Sequence, residues 1–438
     1  MSASKVRGWR SIVQAFATPS AGTLCVLGFG SGLPFLLIGY TLSIWLREFG
    51  LGLGAIGLFS YVSFFYVFKF IWAPLLDRWK APILGLLGRR RGWLALSQLM
   101  LIAALVGMAA TGPAQLELFV ALAALAGFSG ATQDTMIDAY RIEIAPPEAQ
   151  AALAATYTLG YRFGLIVSGA GALYIAAYSS WHAAYLAMAG SLLLPLLTTL
   201  LMREPETIRV RKKIRFQASF VEPFRDFFQR HGTVIAVGLL VFIGLFKLPD
   251  QMLGVINGPF YIDTGYTKDQ IATVSKIYGV WIGIAGAFLG GVSVAALGMK
   301  RSLYIAALGV ALSNLLYLLM AQHPGQTWAF IAAISGDNST LGYAGVVLVA
   351  FLSSLTSLEF TATQYALLSS LANLPGKLIG GMSGFLVESW TYSGFFIFSA
   401  VSVVPTLLVL RWLSRQGVLE PSAHLGMHEP GAAKADQT

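Results

Sequence analysis

LELFVALAALAGFSGATQDTMIDAYR, running from Leu116 to Arg141, is long and apolar enough to cross a bilayer, yet it contains Asp134, Asp138 and Arg141. These three charges follow the i, i+4, i+7 spacing of one helical face. An ionised side chain at the centre of the hydrocarbon costs roughly 2.5–3.5 kcal/mol on the lowest scales. Such charge persists only where it faces a protein-lined, watery cavity, so it marks a functional site by default. The pattern recurs along the chain. Lys69, Arg162, Lys247, Asp250, Lys276, Asp337 and Lys377 all fall in or beside apolar spans. A chain with this pattern is built to move something polar through a membrane.

Composition agrees. Of 438 residues, 56% are hydrophobic and 11% charged, against about 25% charged in soluble domains. The bilayer must therefore be the solvent. Twelve apolar segments are expected, near 21–46, 54–76, 93–112, 116–141, 151–178, 182–202, 233–255, 268–296, 302–321, 327–356, 361–387 and 391–413. The fold class is thus an all-α membrane protein of twelve transmembrane helices. The single Cys25 leaves no intramolecular disulfide and no thiolate cluster, and the five histidines form no ligand pattern. Neither a metal nor a cofactor is expected.

The formal charge of +9 is distributed by side, which argues for headgroups rather than nucleic acid. With the N-terminus in the cytoplasm, Lys5 to Arg10, Arg78 to Arg91, Arg203 to Arg230, Lys300, Arg301, Arg411 and Arg415 all lie inside. Only Arg47 and Lys268 lie outside. Both termini are then cytoplasmic. Residues 1–205 form a first unit of six spans behind a short amphipathic N-terminal segment. Residues 206–232 form a linker whose Phe216, Phe220, Phe224, Phe227 and Phe228 suit an interfacial helix. Residues 233–415 form a second unit of six spans, and 416–438 a disordered tail. Two six-span halves imply a cavity between them.

Trp72-Ala-Pro-Leu-Leu-Asp77-Arg78 with Gly88-Arg-Arg-Arg-Gly-Trp93 resembles the loop motif between spans 2 and 3 of the major facilitator superfamily. Gly32-Leu-Pro34, Gln133-Asp134, Asp138-Ala-Tyr-Arg141, Gly160-Tyr-Arg162 and Phe360-Thr-Ala-Thr-Gln364-Tyr-Ala-Leu-Leu368 are similar to segments of its AmpG-type muropeptide permeases. The resemblance implies a monomeric symporter in a bacterial inner membrane. It would import anhydro-muropeptides (GlcNAc-anhydroMurNAc with or without a stem peptide) with protons, for peptidoglycan recycling. Related acetyl-coenzyme A carriers share several first-half motifs, so another organic anion stays open as cargo.

Site residues are drawn from charge, from depth and from what the resemblance implies. Asp134 and Asp138 are the proton-coupling candidates, with Asp134 the deeper. Arg162 lies at a depth where it could meet Asp134, either as a pair that opens to load a proton or as a permanent ion pair. Asp77, Arg78 and Arg141 are assigned to an inner gate, where plain anchoring is the competing reading. Substrate-binding candidates are Lys69, Gln133, Tyr161, Arg162, Lys247, Asp250, Gln251, Asp337, Asn338, Gln364, Lys377 and Tyr40. Lys247 and Asp250, at i, i+3, either neutralise one another or bind cargo. Lys276 is expected to snorkel to water, and Pro375-Gly376 to break the helix before Lys377.

Two other classes make different demands. A membrane-embedded transferase needs a reactive histidine, an acid cluster for a metal or a soluble lobe. A receptor needs an output domain. The sequence offers none of these, and no P-loop pattern, so protons or sodium would drive transport.

Overall fold

The computed structural model describes residues 18–144, 150–205, 216–356 and 361–419. Among these residues every regular element is helical. Six spans form the first half: Pro19–Glu48, Leu53–Phe68 continued by Ala73–Arg78, Arg89–Thr111, Leu116–Glu143, 150–178 and Trp181–Leu201. After the linker helix Phe216–His231 comes span 7, Thr233–Asp263. The helical stretch Lys268–Gln322 is two spans, because Gly298 at φ 79° turns the chain between 268–297 and 299–322. Span 10 is Thr327–Leu355. Thr391 at φ 63° likewise separates span 11 (361–390) from span 12 (392–415). Both turns sit where a left-handed residue reverses an apolar run.

Where the sequence removes a backbone hydrogen bond within a span, a neighbouring span can supply the donor. Pro34 lies inside span 1 and cannot donate to the carbonyl of Gly30. Gln133 of span 4 donates to that freed carbonyl instead, at 2.8 Å. Spans 5 and 8 each contain a π-helical turn, Val167–Gly171 and Ile271–Tyr278, and the two turns pack against one another. Such turns free carbonyls for outside donors; Thr41 of span 1 donates to the carbonyl of Ser168 at 2.9 Å. Helix Thr361–Gly380 passes through Pro375 without the expected break. Gly376 there permits close approach rather than a bend, since a Cβ on it would lie 2.6 Å from Gln251 of span 7.

Spans 1–6 pack chiefly among themselves, as do spans 7–12, giving two bundles. In the first, spans 1 and 5 touch backbone to backbone: a Cβ on Gly160 would stand 1.8 Å from the carbonyl oxygen of Cys25. Between the bundles, the polar contacts gather at one end, hereafter the closed end. Arg47 of span 1 grips Asp263 of span 7 through Nε and Nη2, at 2.6 and 2.7 Å. Lys268 of span 8 binds Glu48 at 3.0 Å. The backbone N–H of Gly54 in span 2 donates to Glu388 of span 11 at 2.8 Å. Beneath that contact a Cβ on Gly384 would meet the carbonyl oxygen of Leu53 at 1.9 Å. Here glycine is what lets spans 2 and 11 close.

At the opposite end the linker helix packs on spans 7 and 11. Phe227 is buried and Phe224 exposed; the side chains of Phe216 and Phe220, like residues 1–17 and the tail from 420, lie outside the described residues.

Candidate functional site

A chamber of about 380 Å³ opens between the bundles. Its two walls differ. Spans 1 and 2 contribute Phe35, Tyr40, Ser43, Ser60, Ser63 and Tyr66, which are aromatic or hydroxylic and carry no formal charge. Spans 7, 8 and 11 contribute Lys247, Asp250, Gln251, Asn257, Lys276 and Lys377. Three lysines against one aspartate leave a formal excess of positive charge on that wall. Asn373 of span 11 organises part of it: its Oδ1 accepts from Lys247 at 3.4 Å and from Gln251 at 3.2 Å. Lys377 reaches the Ser63 carbonyl across the interface at 3.4 Å. Two buried polar atoms on facing walls, the Tyr66 hydroxyl and Asn257 Oδ1, have no hydrogen-bond partner among the described residues. An amide oxygen only accepts, so Asn257 calls for a ligand O–H or N–H.

The sequence expectation of a lysine snorkelling at position 276 does not describe its geometry. Lys276 lies on the π-helical turn of span 8 and lines the chamber. Its Nζ stands 3.1 Å from the centroid of the Tyr40 ring, and its stem passes over Gly169 of span 5. The Tyr40 hydroxyl in turn lies 3.4 Å from Ser275 Oγ.

Below the chamber, Asp134 is the meeting point of four spans. Ser31 of span 1 and Tyr157 of span 5 each donate to its Oδ1 at 2.8 Å, and Lys69 of span 2 binds its Oδ2. Lys69 also lies 3.9 Å from Asp138, which approaches Arg141 at 3.7 Å. Thus the structure pairs Asp134 with Lys69 rather than with Arg162. The reason is angular. Tyr157 already presents the face of span 5 that meets Asp134, and five residues on, Arg162 is turned by about 140° from it. Arg162 is exposed and, among the described residues, has no ion pair. Tyr161, one turn from Tyr157, is half-buried beside it with ring centroids 6.3 Å apart.

The other candidates are dispersed. Gln133 is fully buried and supplies the donor that Pro34 removes. Gln364 does not line the chamber: its amide donates to the Pro223 carbonyl at 2.9 Å and to Asp226 at 2.7 Å, and accepts from Arg230 at 3.0 Å. It ties span 11 to the linker helix. Asn338 packs on Gly279 of span 8 and bonds the carbonyl of Ile334. Asp337 sits in the second bundle behind the chamber, accepting from Tyr317 at 3.0 Å. The side chains of Asp77 and Arg78 lie outside the described residues. Among the described residues no group of three His, Cys, Asp or Glu could hold a metal.

Sequence reasoning passed over the closed-end ties. A signal existed: Arg47 and Lys268 are the two basic residues assigned to the outside, and each bridges the bundles.

Known proteins share this architecture and much of this sequence. The pattern of the Major Facilitator Superfamily matches residues 24–381. The Anhydromuropeptide permease of Escherichia coli (strain K12) is 36% identical over 402 residues, covering 91% of this chain and 80% of that protein. A Rickettsia conorii chain named as a transporter, AmpG 4, is 33% identical and covers 89% of this chain and 95% of its own. Among solved structures, nucleoside transporter NupG superposes with a TM-score of 0.70 at 14% identity, over 91% of this chain and 100% of that one. A bacterial homolog of the lysosomal transporter Spinster, inward-facing and unoccupied, gives 0.69 at 14% identity, over 95% and 98%.

Proposed function

Because the chain belongs to the AmpG-type permeases of the major facilitator superfamily, and so is a multi-pass membrane transporter, we propose that its cargo is an anhydro-muropeptide. The proposal places it in a bacterial inner membrane, as a monomer with both termini cytoplasmic, importing GlcNAc-anhydroMurNAc and its peptide-bearing forms with protons.

The chamber's division of labour is the observation that carries this reading. A muropeptide is two-faced: sugar rings with hydroxyls and N-acetyl groups at one end, carboxylates at the other. Tyr66 and Phe35 offer aromatic rings, and Tyr66 a hydroxyl without a partner among the described residues, which suit the sugar. Asn257 Oδ1 accepts a sugar or amide N–H or O–H. Lys247 and Lys377, across the chamber, suit a carboxylate as charge-assisted donors. Asp250 beside Lys247 suits the amine of a stem peptide.

Energetics make the coupling ion necessary. Bringing one negative charge into a cell costs about 2.3 kcal/mol per 100 mV of interior-negative potential. Cotransported protons offset this. Asp134 and Asp138 are the acids proposed to exchange them, because Lys69 lies within ion-pair reach of both carboxylates and Arg141 pairs with the second. By the positive-inside rule the end opposite the closed end faces the cytoplasm, so this conformation faces inward.

The test is competition in right-side-out membrane vesicles with an imposed pH gradient, acid outside, and radiolabelled GlcNAc-anhydroMurNAc as cargo. Unlabelled muropeptide should abolish uptake, and acetyl-coenzyme A at the same concentration should leave it intact. Inhibition by the thioester alone would reassign the cargo. Uptake indifferent to the pH gradient would remove the proton.

A further inference from the structure

Asp337, an acid within span 10, has surroundings that differ from those of a cargo ligand. Tyr317 of span 9 donates to it at 3.0 Å, and Tyr317 lies 2.9 Å, hydroxyl to hydroxyl, from Tyr261 of span 7. Both tyrosines are fully buried, with rings stacked at 6.3 Å. Two charged groups share the neighbourhood: Asp250 of span 7 and Lys276 of span 8. Tyr40 of span 1 completes the set from the other bundle. Lys276 is the natural counter-ion, yet the two side chains form no ion pair. The ammonium is held instead on the Tyr40 ring, 3.1 Å from its centroid. That contact crosses from one bundle to the other, level with the packed π-helical turns of spans 5 and 8.

We infer that Asp337 and Lys276 form a proton-exchange site in the C-terminal bundle, with Lys276 on Tyr40 while the Arg47–Asp263 end is closed and on Asp337 when that end opens. This rests on the proton-coupled reading above and adds a site to it. Parting the bundles removes Tyr40 from Lys276. A half-buried cation without its ring turns to a carboxylate within electrostatic reach, here Asp337. The open state therefore favours ionised Asp337, paired with Lys276. A hydronium ion reaching Asp337 from the opened side forms a carboxyl O–H bond and leaves as water. Lys276, no longer drawn to a charge, settles on Tyr40 and the end closes. From the other side the O–H bond breaks, water takes the proton, and the recharged carboxylate draws Lys276 off the ring. Proton binding and closure are linked because the two conformations offer Lys276 different partners.

Two readouts test this. In proteoliposomes, Asp337→Asn should keep exchange of labelled for unlabelled GlcNAc-anhydroMurNAc within about threefold of wild type. Accumulation driven by a pH gradient should fall to the equilibrium ratio of one. Full accumulation with wild-type pH dependence overturns the inference, and so does loss of exchange in a variant that still folds. The second readout needs no cargo and so survives a wrong muropeptide assignment. A Ser60→Cys probe in a Cys25→Ser background is alkylated from the closed-end side. Its rate should rise with pH when Asp337 is present and lose that pH dependence in Asp337→Asn. An unchanged pH response defeats the proposal. Should Asp337→Asn fail to fold, Tyr40→Leu carries the same test. Freeing Lys276 for the carboxylate in both conformations favours the ionised form, so the alkylation profile should move by roughly one pH unit toward acid; an unmoved profile overturns the inference.

Discussion

Asp134 and Asp337 are both half-buried aspartates within apolar spans, one in each bundle, but their settings are opposites. Asp134 is saturated: a lysine and two hydroxyls, from three different spans, converge on it. Asp337 has one tyrosine hydroxyl, and the lysine that would neutralise it is engaged across the interface with Tyr40. The first arrangement lies within one bundle and survives any rigid movement of the halves. The second depends on how the halves sit. The contrast shows that the presence of intramembrane charge says little about its role. What matters is whether its partner belongs to the same rigid body.

The contrast is broken most directly by removing each acid in turn. Asp134→Asn leaves half-buried Lys69 with only the more distant Asp138, at 3.9 Å, and should destabilise the detergent-purified protein by about 2 kcal/mol. Uptake should fall at least about a hundredfold, since spans 1, 2, 4 and 5 lose their shared anchor. Asp337→Asn, with no ion pair to break, should cost less than about 1 kcal/mol. Thermal unfolding of the two variants side by side is the measurement. Equal losses would mean that Asp337 is as tightly held as Asp134, and the distinction drawn here would fail. A Lys69→Met, Asp134→Leu double variant sharpens it: stability should return to within about 1 kcal/mol of wild type, transport should not.

Much of this was legible in the chain. Twelve apolar runs, the basic loops and the fold follow from composition and period, because the bilayer imposes length and the cytoplasm imposes charge. The face bearing Asp134, Asp138 and Arg141 follows from helical spacing. Partners did not follow, for a physical reason. Depth along a helix is written in sequence, whereas the angle between helices is not. Arg162 and Lys69 are both cations at a plausible depth for Asp134; only the packing of span 5 against span 1, through Gly160, turns Arg162 away. Gln133 and Gln364 sit in motifs that read as binding residues, yet one repairs the carbonyl freed by Pro34 and the other clasps the linker helix. The freed carbonyl of Gly30 was predictable from Pro34 and would have pointed to a nearby amide.

The closed end provides a second way to press on the comparison. If Lys276 and Tyr40 alone hold the halves together, the rim is ornament. Arg47 binds Asp263 through two nitrogens and Tyr392 supports the same carboxylate at 2.5 Å. Arg47→Ala should shift the equilibrium toward an opened end by about 1 kcal/mol, close to fivefold in alkylation of the Ser60→Cys probe. Lys268→Ala, which removes a single contact to Glu48, should shift it by about 0.5 kcal/mol or less. In both variants the pH response should persist, because neither touches Asp337. Loss of that response on removing Arg47 would move the pH sensor to the rim.

The finest test concerns the hydroxyls on Asp134. Tyr157 donates to the carboxylate and also lies 3.0 Å from Ser31 Oγ, so the two hydroxyls and the acid form a closed triangle. Removing either hydroxyl leaves Lys69 in place and lets the other turn fully toward the acid. Tyr157→Phe and Ser31→Ala should therefore each cost only about 1 kcal/mol. The double variant should cost more than their sum, by about 0.5 kcal/mol, because the second loss has no hydroxyl left to compensate. Strict additivity would show that the two donors act independently. In that case Asp134 is held by Lys69 alone, and its saturation would be a matter of one ion pair rather than of a network joining spans 1, 2, 4 and 5.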